Sequence, residues 1–241
     1  MTTTKKSASW IKIIVLLVLA VAAFFGWKAY QTFLGASVTD KQQYLYVGSS
    51  DSYAEVFQKI KDQQLVKHPE LFDYAAKAMG YDQTVKPGKY RLLEGMTNRR
   101  LIGDLRGGYQ EAVKFRFDNI RLKETFAGML GKSFEADSTA FSKILNNAEL
   151  AEKYGFTADN FFSMFIPNTY EIYWNTSPDQ IVARFHEEYE KFWNDSRKEK
   201  AAALNLSPQE VSVLASIVKG EALHKDEMPD IAGLYLNRLS K

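Results

Sequence analysis

The sequence contains no cysteine, which excludes a disulfide framework, a thiol nucleophile and a metal site with cysteine ligands. It also lacks a charge imbalance, because 31 Lys and Arg residues nearly offset 29 Asp and Glu residues and leave a net charge of +2. Nucleic-acid-binding domains usually carry a basic patch, so we expect no nucleic-acid partner. Glycine-rich phosphate loops and paired histidines at helical spacing are missing too, and we therefore expect no metal and no organic cofactor.

The composition is otherwise that of an ordinary globular protein. The chain has 241 residues, of which 46% are hydrophobic, enough for the core of one large domain or two small ones.

The N-terminus carries one long apolar run, uninterrupted from Ile13 to Phe25. Extended to Trp10 and Tyr30, it reaches the roughly 20 residues that cross a bilayer. Lysines precede it and aromatic residues lie at both ends, so we expect residues 1–30 to be a cytoplasmic tail and transmembrane anchor. A cleaved signal peptide is the alternative, since Ala20, Ala22 and Ala23 offer a small-residue cleavage site. Both interpretations place the rest of the chain across the membrane.

The next residues, 31–43, have no periodicity and are interpreted as a linker. A folded region follows over residues 44–110. A strand at 44–47, two amphipathic helices, a strand after Pro87 and Gly88, and a helix that stops at Gly107 and Gly108 predict a small α+β unit.

A second region begins near residue 111 with the alternation of Val113, Phe115 and Phe117, which predicts a half-buried strand. Helical patterns dominate the remainder of the chain. The fold class is therefore α+β, with a mostly helical second domain over residues 111–241.

The clearest local signal for a site is the helix that begins at Ser207. Ser207 and Glu210 form a capping box with Pro208 at the first helical position. Val211, Leu214 and Val218 then follow at the spacing of a buried stripe, and Glu221 extends that stripe. We expect Glu221 to be sheltered near the negative end of the helix dipole, and both conditions favour a protonated carboxyl group.

A protonated carboxylic acid in a groove can supply the proton that a departing glycosidic oxygen needs. Most glycosidases use a second carboxylate. One acid is sufficient where the C6 hydroxyl of the sugar attacks the anomeric carbon. A surface glutamate paired with Lys219 or Lys225 is the structural alternative for Glu221.

Three stretches follow one another along the chain: Lys86 to Arg91, Phe165 to Tyr170, and the run from Ala215 through Glu221 and Ala222 to Asn237, Arg238 and Leu239. Together they resemble the MltG (YceG-like) family of endolytic murein transglycosylases. The resemblance implies a membrane anchor, a LysM-like βααβ subdomain over 44–110 that binds peptidoglycan, and a catalytic domain over 111–241 with Glu221 as catalytic residue. It also implies a catalytic domain that is incomplete at Lys241, because chains of this family continue further.

The implied activity is that of a lytic transglycosylase that cleaves the MurNAc-GlcNAc bond within nascent strands, leaves 1,6-anhydro-MurNAc ends and terminates elongation. The chain would be a single-pass inner-membrane protein with a periplasmic or extracytoplasmic catalytic domain and peptidoglycan synthases as neighbours. Aromatic rings stack well on sugars and amides bind acetamido groups, which gives the candidate substrate-binding residues Asn168, Tyr170, Tyr173, Trp174 and Asn237. Each aromatic residue has a structural alternative in the core.

The alternative function is a non-catalytic peptidoglycan-binding membrane scaffold of the cell-wall synthesis machinery. An ordinary muramidase is a third possibility, but it needs a second carboxylate.

Overall fold

The computed structural model describes residues 5–39, 43–118 and 120–239. They belong to two compact units, Met1–Glu111 and Ala112–Lys241. Each unit has its own two-stranded antiparallel sheet and its own hydrophobic core. The chain is thus a mixed helix-and-sheet protein in which helices predominate.

The first helix, α1, spans Lys5–Phe33. Its segment Trp10–Phe33 has 24 residues, and the most apolar 18-residue window in it has a mean hydropathy of 2.4 and no buried residue. By length and composition it can cross a membrane, although a signal sequence meets the same criteria. The helix continues to Phe33, beyond the end predicted at Tyr30.

Residues 36–39 differ from the predicted linker, because they are packed into the first unit. The backbone N–H groups of Ser37 and Val38 both donate to the Met96 carbonyl oxygen at 3.0 Å. Val38 is fully buried, and Ser37 is 5% exposed. Their partners lie far away in the chain, so local periodicity gave no sign of this pairing. Residues 40–42 of the predicted linker lie outside the described residues.

The rest of the first unit has the strand, helix, helix, strand order that the sequence predicted, followed by one helix. Its elements are β1 (Gln43–Val47), α2 (Tyr53–Asp62), α3 (Pro69–Ala78), β2 (Gly88–Leu92) and α4 (Asn98–Gly107). The strands β1 and β2 are antiparallel, with Leu45 opposite Tyr90. Gly108 ends α4 in the left-handed conformation with φ 75°, the conformation for which glycine is favoured at helix ends.

The second unit is mostly helical, as the sequence predicted. Its elements are β3 (Val113–Arg116), α5 (Lys123–Ser133), α6 (Ser138–Leu145), α7 (Ala148–Lys153), β4 (Thr169–Ile172), α8 (Pro178–Phe192), α9 (Asp195–Ala202), α10 (Pro208–Glu221) and α11 (Met228–Leu239), with a short 3-10 helix at Phe161–Met164. The strands β3 and β4 pair antiparallel, with Phe115 opposite Tyr170.

An aromatic cluster forms the core of the second unit. Phe115 and Phe117 are buried, while Lys114 and Arg116, which alternate with them, are exposed. The predicted alternation of β3 is therefore confirmed. Phe126 contacts Phe117 with ring centroids 4.8 Å apart, and Phe185 of α8 lies over the same cluster. Tilted and edge-to-face contacts of this kind stabilise aromatic cores beyond simple burial.

Candidate functional site

The start of α10 is confirmed in detail. The Ser207 hydroxyl oxygen accepts a 3.2 Å hydrogen bond from the backbone N–H of Glu210. In return, the Glu210 carboxylate accepts a 2.7 Å hydrogen bond from the Ser207 backbone N–H. The Glu210 carboxylate also accepts a 2.8 Å hydrogen bond from the Ser207 hydroxyl group. The two hydrogen bonds that this carboxylate accepts, first from the Ser207 backbone and then from the hydroxyl group, hold the pKa of Glu210 below its usual value. The helix register that places Glu221 is thus fixed at its first turn.

The predicted burial of Glu221 is wrong in this chain, because its side chain is exposed. The expected stripe is in place as far as Val218 and stops short of Glu221. Val211 packs against the core of the second unit, and Val218 is 7% exposed. Ile217, in contrast, is 40% exposed.

The physical reason is that few elements cover α10. The helix packs against α9, α11 and the 3-10 helix Phe161–Met164. These neighbours cover the side of the helix that carries Val211 and Val218 and leave the rest of its surface, including Glu221, in water. An apolar period shows which face of a helix prefers burial, but not whether a neighbour covers it.

The chain immediately after Glu221 is held by its own hydrogen bonds. The N–H of Ala222 donates to the Val218 carbonyl oxygen at 3.0 Å and ends the helix. The Glu227 carboxylate accepts hydrogen bonds from the backbone N–H groups of Leu223 (3.0 Å) and His224 (3.1 Å). Glu221 therefore stands between a regular helix and an ordered turn, which restricts where its carboxyl group can go.

Sequence reasoning missed Arg121, which lies at the same end of α10. A Cβ atom added to Gly220 would lie 3.9 Å from Arg121 Nη2, so the guanidinium is close to the residue before Glu221. A single arginine in a loop has no periodic or motif signal, and the sequence could not have identified it. Next to a carboxyl group, a guanidinium can bind the oxygen atoms of a polar substrate.

The loop that carries Arg121 also touches the middle motif. The N–H of Phe117 donates to the Asn168 carbonyl oxygen at 3.3 Å, and Arg121 follows a few residues later. Phe117 thus contacts the Asn168 backbone, and Arg121 lies near the end of α10.

Tyr170 is a core residue, which corrects its prediction as a glycan-stacking residue. It is 4% exposed, its ring stacks on Phe117 at 5.8 Å, and its hydroxyl group donates to the Ile166 carbonyl oxygen. Burial raises the pKa of Tyr170 to about 12, with a smaller contribution from the Glu188 charge. Its position opposite Phe115 on β4 directs the ring inward, because side chains alternate along a strand.

The other candidate substrate-binding residues are at least partly accessible. Tyr173 is 53% exposed, Asn168 and Asn237 are exposed, and Trp174 is half-buried. The Asn168 Oδ1 atom accepts a 2.8 Å hydrogen bond from the Thr169 N–H, a contact that shapes the turn before β4. Its side-chain N–H group can still point to a ligand.

Within the described ranges, no group of three His, Asp or Glu side chains is arranged to hold a metal ion. His186 lies against the Tyr154 ring, with the two ring centroids 4.5 Å apart.

Comparison with known proteins supports the resemblance over most of the chain. The model of the YceG-like family matches residues 45–241. A 2.6 Å crystal structure of a protein from Listeria monocytogenes described as YceG-like superposes with a TM-score of 0.50 and 16% identity, over 84% of this chain and 71% of the other. At that identity the likeness concerns the fold alone. No curated protein matches the sequence.

The family match begins within β1, at residue 45, and includes β2, β3, β4 and the whole of α10 with Glu221. The chain belongs to the YceG-like family, which is the MltG family.

Proposed function

We propose that the protein is a membrane-anchored lytic transglycosylase that cleaves the MurNAc-GlcNAc bond inside nascent peptidoglycan strands and terminates their elongation. The observation that carries the proposal is the family match through residue 241, which includes Glu221 at the last helical position of α10. The family is associated with lytic transglycosylase activity on murein.

In the proposed reaction Glu221 acts first as acid and then as base. Its carboxyl group donates a proton to the departing GlcNAc oxygen as the bond to the MurNAc anomeric carbon breaks. The MurNAc C6 hydroxyl attacks that carbon, and the Glu221 carboxylate takes the hydroxyl proton. The products are a 1,6-anhydro-MurNAc end and a free GlcNAc hydroxyl, and Glu221 is protonated again. The reaction consumes no water and needs no second carboxylate.

The exposure of Glu221 adds a condition to this mechanism. A carboxyl group in water is not favoured as an acid in the way that a desolvated one is. A glycan strand that lies across Arg121 and the neighbouring end of α10 would remove water from Glu221. We infer that the shelter comes from the bound strand, with Asn168, Tyr173, Trp174 and Asn237 as candidate contacts and Arg121 as an added one.

The remaining features fit a protein anchored beside the wall. We propose that α1 is a single-pass anchor in the inner membrane with a cytoplasmic N-terminus, and that the rest of the first unit and the whole second unit lie on the periplasmic or extracytoplasmic side. The β1-α2-α3-β2 arrangement supports a LysM-like role in peptidoglycan binding for residues 44–110. Peptidoglycan synthases are the expected neighbours.

One observation favours the alternative function, a non-catalytic peptidoglycan-binding scaffold. It is again the exposure of Glu221, since an exposed glutamate at a helix end needs no catalytic explanation. The two functions differ in their products, so a single measurement separates them.

The experiment is a digestion of purified sacculi with the full chain in detergent, followed by mass spectrometry of the released fragments. The proposal expects 1,6-anhydro-MurNAc ends from the original protein and a loss of at least about 100-fold in Glu221→Gln, the scale of a removed general acid. Glu152→Gln, an exposed carboxylate of α7 in the same unit, is the matched control and should retain full activity. Undiminished release by Glu221→Gln, or no release by the original protein, would support the scaffold. Reducing ends would indicate a muramidase.

A further inference from the structure

A cleft in the first unit lies where the C-terminal end of α1 meets α3 and α4. It has a volume of about 610 Å³ and is lined mainly by Ala29, Tyr30, Phe33, Leu34, Met79 and Arg99. All but Arg99 present mostly apolar surface. The cleft is separate from Glu221 and from the other residues of the proposed active site, which belong to the second unit.

The position of the cleft along α1 suggests its occupant. At 1.5 Å per residue, the segment Trp10–Phe33 is about 36 Å long, whereas the hydrocarbon layer of a bilayer is about 30 Å thick. The last turn of the helix then lies at the level of the lipid headgroups. Trp27 and Tyr30, whose rings stack at 6.0 Å, are the residue types that favour this level.

Arg99 gives the cleft a charge that a lipid phosphate would match. Among the described residues its guanidinium makes no ion pair and no hydrogen bond, and its side chain is exposed. The next residue, Arg100, is already paired with Asp104 at 3.0 Å. Arg106 is also engaged, since it donates a 2.7 Å hydrogen bond to the Met79 carbonyl oxygen. Arg99 is therefore the cation that is available to a ligand in the cleft.

The walls of the cleft are held in place by a buried contact. The side chain of Asn98, which is 1% exposed, donates a 2.9 Å hydrogen bond to the Thr32 carbonyl oxygen. It fixes the last turn of α1 against the start of α4, next to Arg99. The cleft thus has a defined shape and does not depend on a loose approach of two surfaces.

We propose that this cleft binds one phospholipid of the bilayer that α1 crosses, with its phosphate on Arg99 and the upper part of an acyl chain against Phe33 and Met79. The inference rests on α1 as a membrane-spanning helix and is independent of the chemistry at Glu221. An apolar cleft that opens beside a membrane-spanning helix is continuous with the acyl chains, and a guanidinium suits a phosphate group.

The test uses the full chain in nanodiscs that contain phosphatidylglycerol with a photoreactive diazirine on the upper part of one acyl chain. After irradiation, mass spectrometry of the peptides shows which residues are labelled. The inference expects label on Met79 as well as on α1, although Met79 directly follows α3 and lies outside the membrane span. Arg99→Gln should lower the label on Met79 about fivefold, which corresponds to about 1 kcal/mol for a basic residue at a membrane surface.

Arg100→Gln is the matched control, because its charge is already paired, and it should leave the label on Met79 unchanged. Label on α1 without label on Met79 overturns the inference while the membrane span stands. An equal label on Met79 in both variants removes Arg99 from the site and overturns it as well. Absence of label from α1 itself contradicts the span and the inference together, whereas release of anhydro ends by the same sample tests the proposed function separately.

Discussion

The amide group of Asn98 joins two distant parts of the first unit. It donates to the Thr32 carbonyl oxygen at 2.9 Å and accepts a 2.5 Å hydrogen bond from the Ser37 hydroxyl group. All three residues are buried. Polar groups without water must find partners inside the protein, and these three satisfy one another across 61 positions of sequence between Ser37 and Asn98.

Asn98→Leu should therefore destabilise the junction between α1 and α4. The substitution keeps a similar volume but leaves a carbonyl and a hydroxyl group buried without their partner, at a cost of about 1–3 kcal/mol. Hydrogen exchange of the Ser37 and Val38 amides, both bonded to Met96, measures this opening directly. Arg99→Gln at the neighbouring exposed position should change the free energy of opening, as derived from the exchange rates, by less than about 0.5 kcal/mol. Equal exchange in the two variants would contradict the role of the buried amide.

Tyr170→Ala should unfold the second unit more easily by about 3–5 kcal/mol, the usual cost of removing a buried aromatic ring. Tyr170→Phe keeps the contacts with Phe117 and Phe185 and loses only the hydrogen bond to Ile166, so its cost should be about 1 kcal/mol. Urea denaturation measures both. The exposed Tyr173→Ala is the control, with little expected change in stability. A Tyr170→Ala protein as stable as the original would mean that Tyr170 is not a core residue.

Gly220→Ala should stabilise α10 by about 0.5–1 kcal/mol, because alanine favours a helix more than glycine does. The added methyl group would meet only Arg121, at an ordinary contact distance of 3.9 Å. Gly131→Ala in α5 makes the opposite case, since its Cβ would overlap the backbone nitrogen of Ser138. In thermal unfolding, Gly220→Ala should raise the melting temperature and Gly131→Ala should lower it. Destabilisation by Gly220→Ala would mean that Arg121 cannot accommodate the methyl group.

Glu188 should contribute to stability in a pH-dependent way. Hydrogen bonds from Lys191 (3.0 Å) and Arg184 (2.5 Å) outweigh burial and hold its pKa below the usual value. A carboxyl group with a lowered pKa in the folded state stabilises the protein above its unfolded pKa, near 4.5, and loses this effect as the pH falls through the folded pKa.

Glu188→Gln should accordingly be less stable than the original protein at pH 7, by less than about 1 kcal/mol. The difference should vanish in strongly acidic solution. Denaturation curves from pH 2 to 7 test this, with Glu187→Gln, one residue earlier and 3.4 Å from Arg184, as control. A difference that is constant over this range would rule out titration of Glu188 as its cause.

Local signals predicted much of the fold. The capping box at Ser207, the glycine stop at Gly108 and the alternation around Phe115 depend on neighbours within a few residues, and all three were found as expected. The length and composition of the apolar run were sufficient to predict α1.

The errors concern contacts between distant residues. The burial of Tyr170 and of Val38 depends on partners that come together only in the folded unit, and the exposure of Glu221 depends on elements that leave α10 uncovered. Arg121 and Arg99 carry no motif at all. Their positions depend on contacts with residues that are distant in the sequence.

The packing of residues 36–38 limits how far an anchored protein can reach. A loose segment of residues 34–38 could extend about 17 Å, but Ser37 and Val38 are instead fastened to Met96. With α1 in a bilayer, the first unit would sit directly on the lipid surface with almost no slack. Any ligand of the first unit would therefore have to come within the height of this one small unit above the lipid, whatever its chemistry.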